Sequence, residues 1–475
     1  MIEDVDALLR SVVEEDAALG IAYGVVDRTG LVHAAGHGMI GDGGRRPDPS
    51  TAFRIASMSK SFTAAAVLLL AERGVLCLAD PVSRHVPEFA AVRLPTSDSP
   101  QITVEMLLSM SAGLPTDDPW ADRQESMSRE EFGRLLTSGL RFVSTPGTAY
   151  EYSNLGYALL GRVVEAASGE CFQGFVRDHL IHPLGLTSTG YDTSVKAPGG
   201  VATGHVRLDG RWQALPFSEP GVFSAIGGLF STVEDLALWV RWLADAFPAR
   251  DGEDPGPLSR ASRRAMQQVQ RSRPPAPHGP VGYGYGLVIH HEPEWGTVVS
   301  HGGGYPGFGS HMRWHPATGL GVINLTNARY VSAHEKVEEA LRTVLAAAAD
   351  PPGPAELWPE TSEAMTVVER LLREWDGALA GAWLADNVAM DLDLARRRSR
   401  IETLIEDVGP LLEPSDALLR TDSPAHAVWE ARGVRGSLRC EIRLTPQDPP
   451  KIQSLNVRRL GAAEAARARK RRHAT

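Results

Sequence analysis

Strand-like segments lie at both ends of residues 20–326, and nearly everything between them has helical periodicity. "GIAYGVVDRTGLVHAAGHGM" predicts two strands around the turn "DRTG". Far downstream, "YGYGLVIH", "GTVVSHGGG", "GFGSHMRWHP" and "LGVINLTNA" predict successive antiparallel strands between Gly282 and Thr326. Strands, a long helical middle, then strands again predict an α+β fold. Its sheet is antiparallel, closed by both ends of the domain and flanked by helices, with an inserted all-helical half.

The helices carry start and stop signals. An amphipathic helix opens the chain. Helix Ser57–Arg73 follows the first strands, and "ITVEMLLSMSAGL" offers Thr103 as an N-cap. "MSREEFGRLLTSG" is helical, and "YSNLGYALLGRVVEAASG" predicts a helix ending at Gly169. "STVEDLALWVRWLADAF" has Ser231 or Thr232 as its cap.

A chain of 475 residues exceeds one compact core, so two or more domains are expected. Prolines in "DPPGPAELWPE" place a boundary there, giving a main domain over 1–349 and a linker over 350–355. Residues 356–460 predict a small α+β appendage of one or two helices followed by strands. In "GSLRCEIRLT" Leu438, Cys440, Ile442 and Leu444 alternate with polar residues, the mark of a strand with one buried face. "KIQSLNVRRL" is its candidate partner. The basic end, "RARKRRHAT", predicts a disordered tail over 461–475.

Bulk properties exclude some functions. A net charge of -10 argues against nucleic acid as a partner. Cys77, Cys171 and Cys440 are widely spaced and odd in number, so neither a disulfide framework nor a thiolate metal site is expected. The opening "MIEDVDALLRSVVEEDAALG" has acidic residues where a signal peptide has basic ones, and no apolar core. No uncharged apolar run reaches the ~18 residues of a membrane span. The expectation is a cytoplasmic protein with no membrane or nucleic-acid partner.

Within "FRIASMSKSFTAAAVLLLAERG", Ser57 and Lys60 stand one helical turn apart, and so face each other. Read plainly, Ser57 caps a helix and Lys60 reaches for water. Read chemically, a serine at a helix N-terminus has amides ready for an oxyanion, and a desolvated lysine is a base for its hydroxyl. "EYSNLGY" adds a second choice. Asn154 caps a helix and Tyr152 packs, or Tyr152 is a phenol held ionised by a nearby ammonium, with Asn154 orienting a substrate carbonyl. In "SHGGGYPGF" His301 precedes Gly302, Gly303 and Gly304 at the end of an apolar strand, where glycines let a ligand approach backbone.

Ser57-Met58-Ser59-Lys60, Tyr152-Ser153-Asn154 and His301-Gly302-Gly303 resemble the S-x-x-K, Y-x-N and K/H-x-G motifs of the penicillin-recognising serine hydrolases. The branch holds class C β-lactamases, serine D-Ala-D-Ala peptidases, D-aminopeptidases and esterases, and the resemblance spans roughly residues 5–345. It implies the β-lactamase/DD-peptidase-like fold. It implies that Ser57 becomes acylated and that Lys60 and Tyr152 share its proton. Asn154 would orient the substrate amide, while the amides of Ser57 and Gly304 form an oxyanion hole. Histidine at 301, where many members have lysine, fits the peptidase, esterase and acyltransferase members better than the β-lactamases.

Other patterns weigh less. Gly302-x-Gly304-x-x-Gly307 and Gly36-x-Gly38-x-x-Gly41 match a dinucleotide fingerprint, but neither opens a helix after a strand, so no cofactor is expected. His290, His291, His311 and His315 lack the carboxylate spacing of a metal site. No G-x-S-x-G elbow occurs.

The expected function is a serine acyl-enzyme hydrolase or acyltransferase for ester, thioester or amide carbonyls of peptide-like, D-amino-acid-containing substrates. One cytosolic branch of the family, the penicillin-binding-protein-type thioesterases, carries a small lipocalin-like C-terminal domain. It takes peptidyl thioesters from carrier proteins and cyclises nonribosomal peptides. The resemblance to it makes peptide macrocyclisation the alternative, with Arg458, Arg459 or Arg443 as candidate carboxylate grips. A non-catalytic acylated sensor or scaffold of the same fold is the remaining alternative.

Overall fold

The computed structural model describes residues 1–41, 43–252, 254, 256–276, 279–348, 357–413, 418–421 and 423–461. The expected linker at 350–355 and tail beyond 461 lie outside the described residues. The chain divides into two compact units, Met1–Ala348 and Ala349–Thr475.

In the first unit, strands β1 (Gly20–Asp27) and β2 (Gly30–Gly38) form the predicted hairpin. Strands β7 (Arg271–Ser272), β8 (Val281–Tyr283), β9 (Val288–Glu292), β10 (Gly296–Tyr305), β11 (Phe308–Trp314) and β12 (Gly321–Thr326) come from the far end. They join as β2-β1-β12-β11-β10-β9-β8-β7, all antiparallel, with Gly24 opposite Ile323 where strands from the two ends of this unit meet. β1 and β12 are buried on both faces, which is why they are apolar almost throughout rather than alternating. Ile21, Tyr23 and Val25 face the helices Ile2–Glu14 and His334–Ala348 in one core. Ala22, Val26, Met312 and Ile323 face the helical middle in another.

That middle is not wholly helical. A hairpin of β4 (His205–Leu208) and β5 (Arg211–Ala214) turns at Asp209 and Gly210, both with positive φ (49° and 75°). Asp-Gly between extended segments is a strong hairpin signal, present in the sequence and not used in the expectation. β3 (Phe53–Arg54) pairs with β6 (Phe230–Ser231), which draws the segments before Ser57 and after Ile226 together. The helix Ser59–Glu72 is apolar nearly all round because other helices surround it. Phe62 stacks on Trp239 at 3.8 Å between ring centroids, and the Trp239 indole donates to Ser61.

The predicted caps are in place at Thr103, at Thr232 and at Gly169, whose φ is 77°.

In the second unit β13 (Leu418–Arg420), β14 (His426–Arg432), β15 (Ser437–Leu444) and β16 (Ile452–Arg459) form one antiparallel sheet in sequence order. Leu438, Cys440, Ile442 and Leu444 are buried as their alternation requires, and β16 is the partner of β15. Among the described residues the helices number four rather than one or two: Pro359–Arg373, Gly377–Trp383, Asp386–Asp391 and Leu394–Val408. Among the described residues the sheet runs β13-β14-β15-β16, with Leu384 bridged to Ile452 on the outer side of β16. No helix among the described residues is long and apolar enough to cross a membrane.

Candidate active site

Ser57 does not begin the long helix. After β3 the chain passes through Ala56 with φ of 49° and a 3-10 turn over Ala56–Met58, and the α-helix starts at Ser59. A left-handed alanine costs of order 1–3 kcal/mol and persists only where the surroundings hold it. Here β10 does so. A Cβ on Gly303 would meet Ser310 Oγ, the Ile55 carbonyl oxygen at 2.5 Å and Ala56 Cβ at 2.9 Å, so only glycine lets the turn lie against the strand. The Ser310 hydroxyl then donates to Ile55 O at 2.6 Å and pins it.

The turn presents Ser57 half-buried, with its Oγ 2.9 Å from Lys60 Nζ. Lys60 is wholly buried and also donates to the Ile226 carbonyl at 2.9 Å. The rings of Tyr152 and Tyr157 lie 5.1 and 5.8 Å from its nitrogen. Desolvation disfavours the ammonium and brings its pKa down to about 8, against the opposing pull of Asp118, Asp122 and Asp117. A large neutral fraction therefore exists in mildly alkaline solution, able to take the serine proton.

Tyr152 stands beside Ser57, but its phenol is not ionised. Burial pushes its pKa well above the ordinary value, and the Asp118 carboxylate adds to that. Of the two readings that the sequence left open for Tyr152, the phenolate is the one that burial disfavours. Tyr152 is a neutral hydroxyl, suited to pass a proton on rather than to pull one off.

His301 is buried on β10 and is neutral, its pKa lowered to about 3 by desolvation and by Lys60. Its Nδ1 lies 2.6 Å from the Gly302 carbonyl, which can only accept, so the ring proton sits there. Nε2 accepts from the Tyr283 hydroxyl at 3.2 Å.

Asn154 is buried at the first turn of the helix Asn154–Ser168, but the cap is the Ser153 side chain. Its Nδ2 donates to Asp118 at 2.6 Å, while the Asp117 carboxylate takes the Asn154 and Leu155 amides at 2.7 and 2.9 Å. Asp117, Asp118 and Asp122 come from "TDDPWAD", which sequence reasoning passed over. Its density of carboxylates just after the helical stretch 103–108 was the available signal.

Ser57, Tyr152, His301, Gly302 and Gly304 line one cavity of about 620 Å³, with Asp118, Asp122 and Arg273 among its walls. Lys60 and Asn154 lie beneath it, and Gly303 faces the nucleophile turn. Tyr330, unforeseen from sequence, overhangs Gly304: its ring lies 2.8 Å from where a Cβ would be. Arg443, Arg458 and Arg459 lie on β15 and β16 of the second unit. Among the described residues no three His, Cys, Asp or Glu side chains are grouped to hold a metal ion. The two glycine fingerprints fall on β10–β11 and at the end of β2, not at strand-to-helix turns.

The profile of the family described as Beta-lactamase matches residues 5–347. The chain belongs to the beta-lactamase family. It is 28% identical over 274 residues to penicillin-binding protein 4* of Bacillus subtilis, a match covering 55% of this chain and 57% of that one. It is likewise 28% identical over 204 residues to protein flp of Staphylococcus aureus, covering 42% and 39%. The chain thus spans about half the length of the curated relatives it matches. An octameric penicillin-binding protein homologue from Pyrococcus abyssi superposes with a TM-score of 0.65 at 21% identity, covering 96% of this chain and 99% of that one. EstCE1, a hydrolase with promiscuous acyltransferase activity, gives 0.59 at 21% identity over 72% and 98%. A D-stereospecific amidohydrolase from Streptomyces sp. gives 0.57 at 22% identity over 71% and 97%. At such identities these likenesses speak for the beta-lactamase fold alone.

Proposed function

We propose that this member of the beta-lactamase family is a serine acyl-enzyme hydrolase and acyltransferase for ester, thioester or amide carbonyls of peptide-like substrates. One observation carries the reading: Ser57 Oγ lies 2.9 Å from an amine that is wholly buried and correspondingly easy to deprotonate. In the first half-reaction Ser57 Oγ bonds to the carbonyl carbon and its proton passes to Lys60. The amides of Ser57 and Gly304 receive the oxyanion, each such donor contributing about 3–4 kcal/mol in comparable sites. The bond to the leaving group breaks as Tyr152 gives it a proton, and Lys60 returns one to Tyr152. In the second, water or an amine attacks the ester on Ser57 and the same groups run in reverse. Asn154 orients the substrate, and neutral His301 at the cavity wall holds the buried Tyr283 behind it.

A free peptide ester or a thioester on a carrier protein satisfies this chemistry. Intact-mass spectrometry with D- and L-ended peptide esters and thioesters, wild type beside Ser57→Ala, tests it. Acylation of the Ser57 peptide with release of free acid supports hydrolysis. Release of a product one water lighter supports macrocyclisation instead. An adduct that forms and never turns over identifies a sensor, and no adduct overturns the reading.

A further inference from the structure

The cavity above Ser57 carries opposite charges on its two flanks. β10 is bordered by β11 on one side and β9 on the other. On the β11 side stands Tyr330, bonded through its amide to Phe308, with its hydroxyl facing the Asp122 carboxyl. On the β9 side Val288 pairs with Ser300, and beyond it the Arg273 guanidinium lies 4.9 Å over the Tyr150 ring. Tyr330, Asp122, Val288, Arg273 and Tyr150 all line the cavity.

The other cavity carboxylates are already engaged. Asp118 accepts the Asn154 amide, and Glu151 accepts the Thr116 backbone and hydroxyl. Asp122 is 5% exposed and hydrogen-bonded to the Tyr330 hydroxyl; burial raises its pKa to about 7 against the pull of Lys60, and Arg329 lies 5.3 Å over the Tyr330 ring. Among the described residues neither Asp122 nor Arg273 makes an ion pair. Asp122 is withdrawn from water on one flank and Arg273 is partly exposed on the other, and groups of opposite charge facing one cavity favour an occupant that supplies both complements.

We propose that the substrate of this site is dipolar: a short peptide-like acyl compound with a protonated amine against Asp122 and Tyr330 and an anionic group against Arg273. This rests on the acyl-enzyme reading and specifies its substrate class. A cavity of about 620 Å³ is of the size that encloses a short peptide. Tyr330 contributes a ring beside the amine as well as a hydroxyl.

A set of four short depsipeptides tests it. They share one internal ester, with the amine free or acetylated and the terminal carboxyl free or amidated. For the wild type, kcat/KM is highest with both ends charged, and masking either end lowers it about tenfold, the scale of one charge-assisted hydrogen bond. In Asp122→Asn the ratio of free-amine to acetylated rates falls toward one while the carboxyl preference stays. Arg273→Met does the reverse. Ratios cancel any change in Lys60, because both substrates meet the same base. Equal rates for all four wild-type reactions, with Ser57 acylated, overturn the dipolar substrate and leave the acyl-enzyme reading standing. No acylation of Ser57 by any of the four overturns that reading and the inference with it.

Discussion

Arg54, three residues ahead of Ser57, and Glu125 face each other at 3.4 Å with 1% and 2% of their side chains exposed. The guanidinium lies between the rings of Phe230 and Tyr305, at 4.7 and 4.6 Å. The carboxylate also takes the hydroxyls of Ser224 at 2.8 Å and Tyr305 at 3.3 Å. The pair thereby ties three pieces of the site together: β3, the end of β10, and the segment whose Ile226 carbonyl holds Lys60.

Removing one partner of such a pair leaves the other charge buried without compensation. Glu125→Leu is therefore expected to destabilise the first unit by about 3–5 kcal/mol, measured by urea unfolding. Arg54→Met with Glu125→Leu in the same chain recovers much of that loss, since no bare charge remains. A double variant less stable than either single one would show that the pair contributes net stability.

The base should be visible in the pH dependence of acylation. Lys60 must be neutral to accept the serine proton, and its pKa is about 8, so the single-turnover acylation rate rises with pH through about 8 and then levels. Asp122 is among the charges that hold this pKa up, so Asp122→Asn moves the rising limb to lower pH. A limb that moves upward in that variant would separate it from Lys60. Lys60→Met lowers the acylation rate by about 10²–10⁴-fold at any pH, the usual scale for a lost general base.

Much of this was legible in local sequence, and what was not has a common cause. The hairpin of β1 and β2, the caps at Thr103 and Thr232 and the Gly169 stop depend on residues within a few positions of one another. The Ser57–Lys60 pairing is equally local. The 3-10 turn beneath Ser57 is not, because it depends on Gly303 having no side chain, and strand β10 is distant in sequence. The ionisation of Tyr152 is decided by Asp118 and by burial, neither of which spacing reveals. Asp122 and Tyr330 meet only once the sheet is closed. The β4–β5 hairpin is different: its Asp-Gly turn was readable, but the stretch between Gly169 and Ser231 reads as loops.

Gly303 gives a steric prediction. Its backbone does not require glycine, but Ser310 Oγ, Ile55 O and Ala56 Cβ occupy the space a methyl would need. Gly303→Ala should push the turn off β10 and displace Ser57 relative to Lys60, and misplacement of that kind costs on the order of 10²-fold in rate. Steady-state kinetics with a near-native circular dichroism spectrum checks it. A variant with wild-type kcat would show that the turn does not depend on this contact. Gly381 is the contrast: it is exposed in the helix Gly377–Trp383 with nothing within 4 Å of a Cβ, so Gly381→Ala stabilises the second unit by about 0.5–1 kcal/mol.

His301 occupies the position where lysine would bring a permanent charge, and its own charge is absent over the working range. With a pKa of about 3 the folded protein leaves it neutral, whereas an unfolded histidine protonates near 6.5. The unfolded chain thus binds the extra proton, so the contribution of His301 to stability falls as pH drops below about 6.5 and stops falling near 3. Nitrogen-detected NMR of the labelled protein should show Nδ1 protonated and Nε2 bare, unchanged between pH 5 and 8. Tyr283→Phe removes the donor to Nε2 and should shift that resonance alone. A titration midpoint near 6.5 would instead make His301 a cation in acid solution. The cavity wall beside Arg273 would then carry two positive charges below neutrality, and the ratio of rates for anionic over neutral substrates would rise as pH fell.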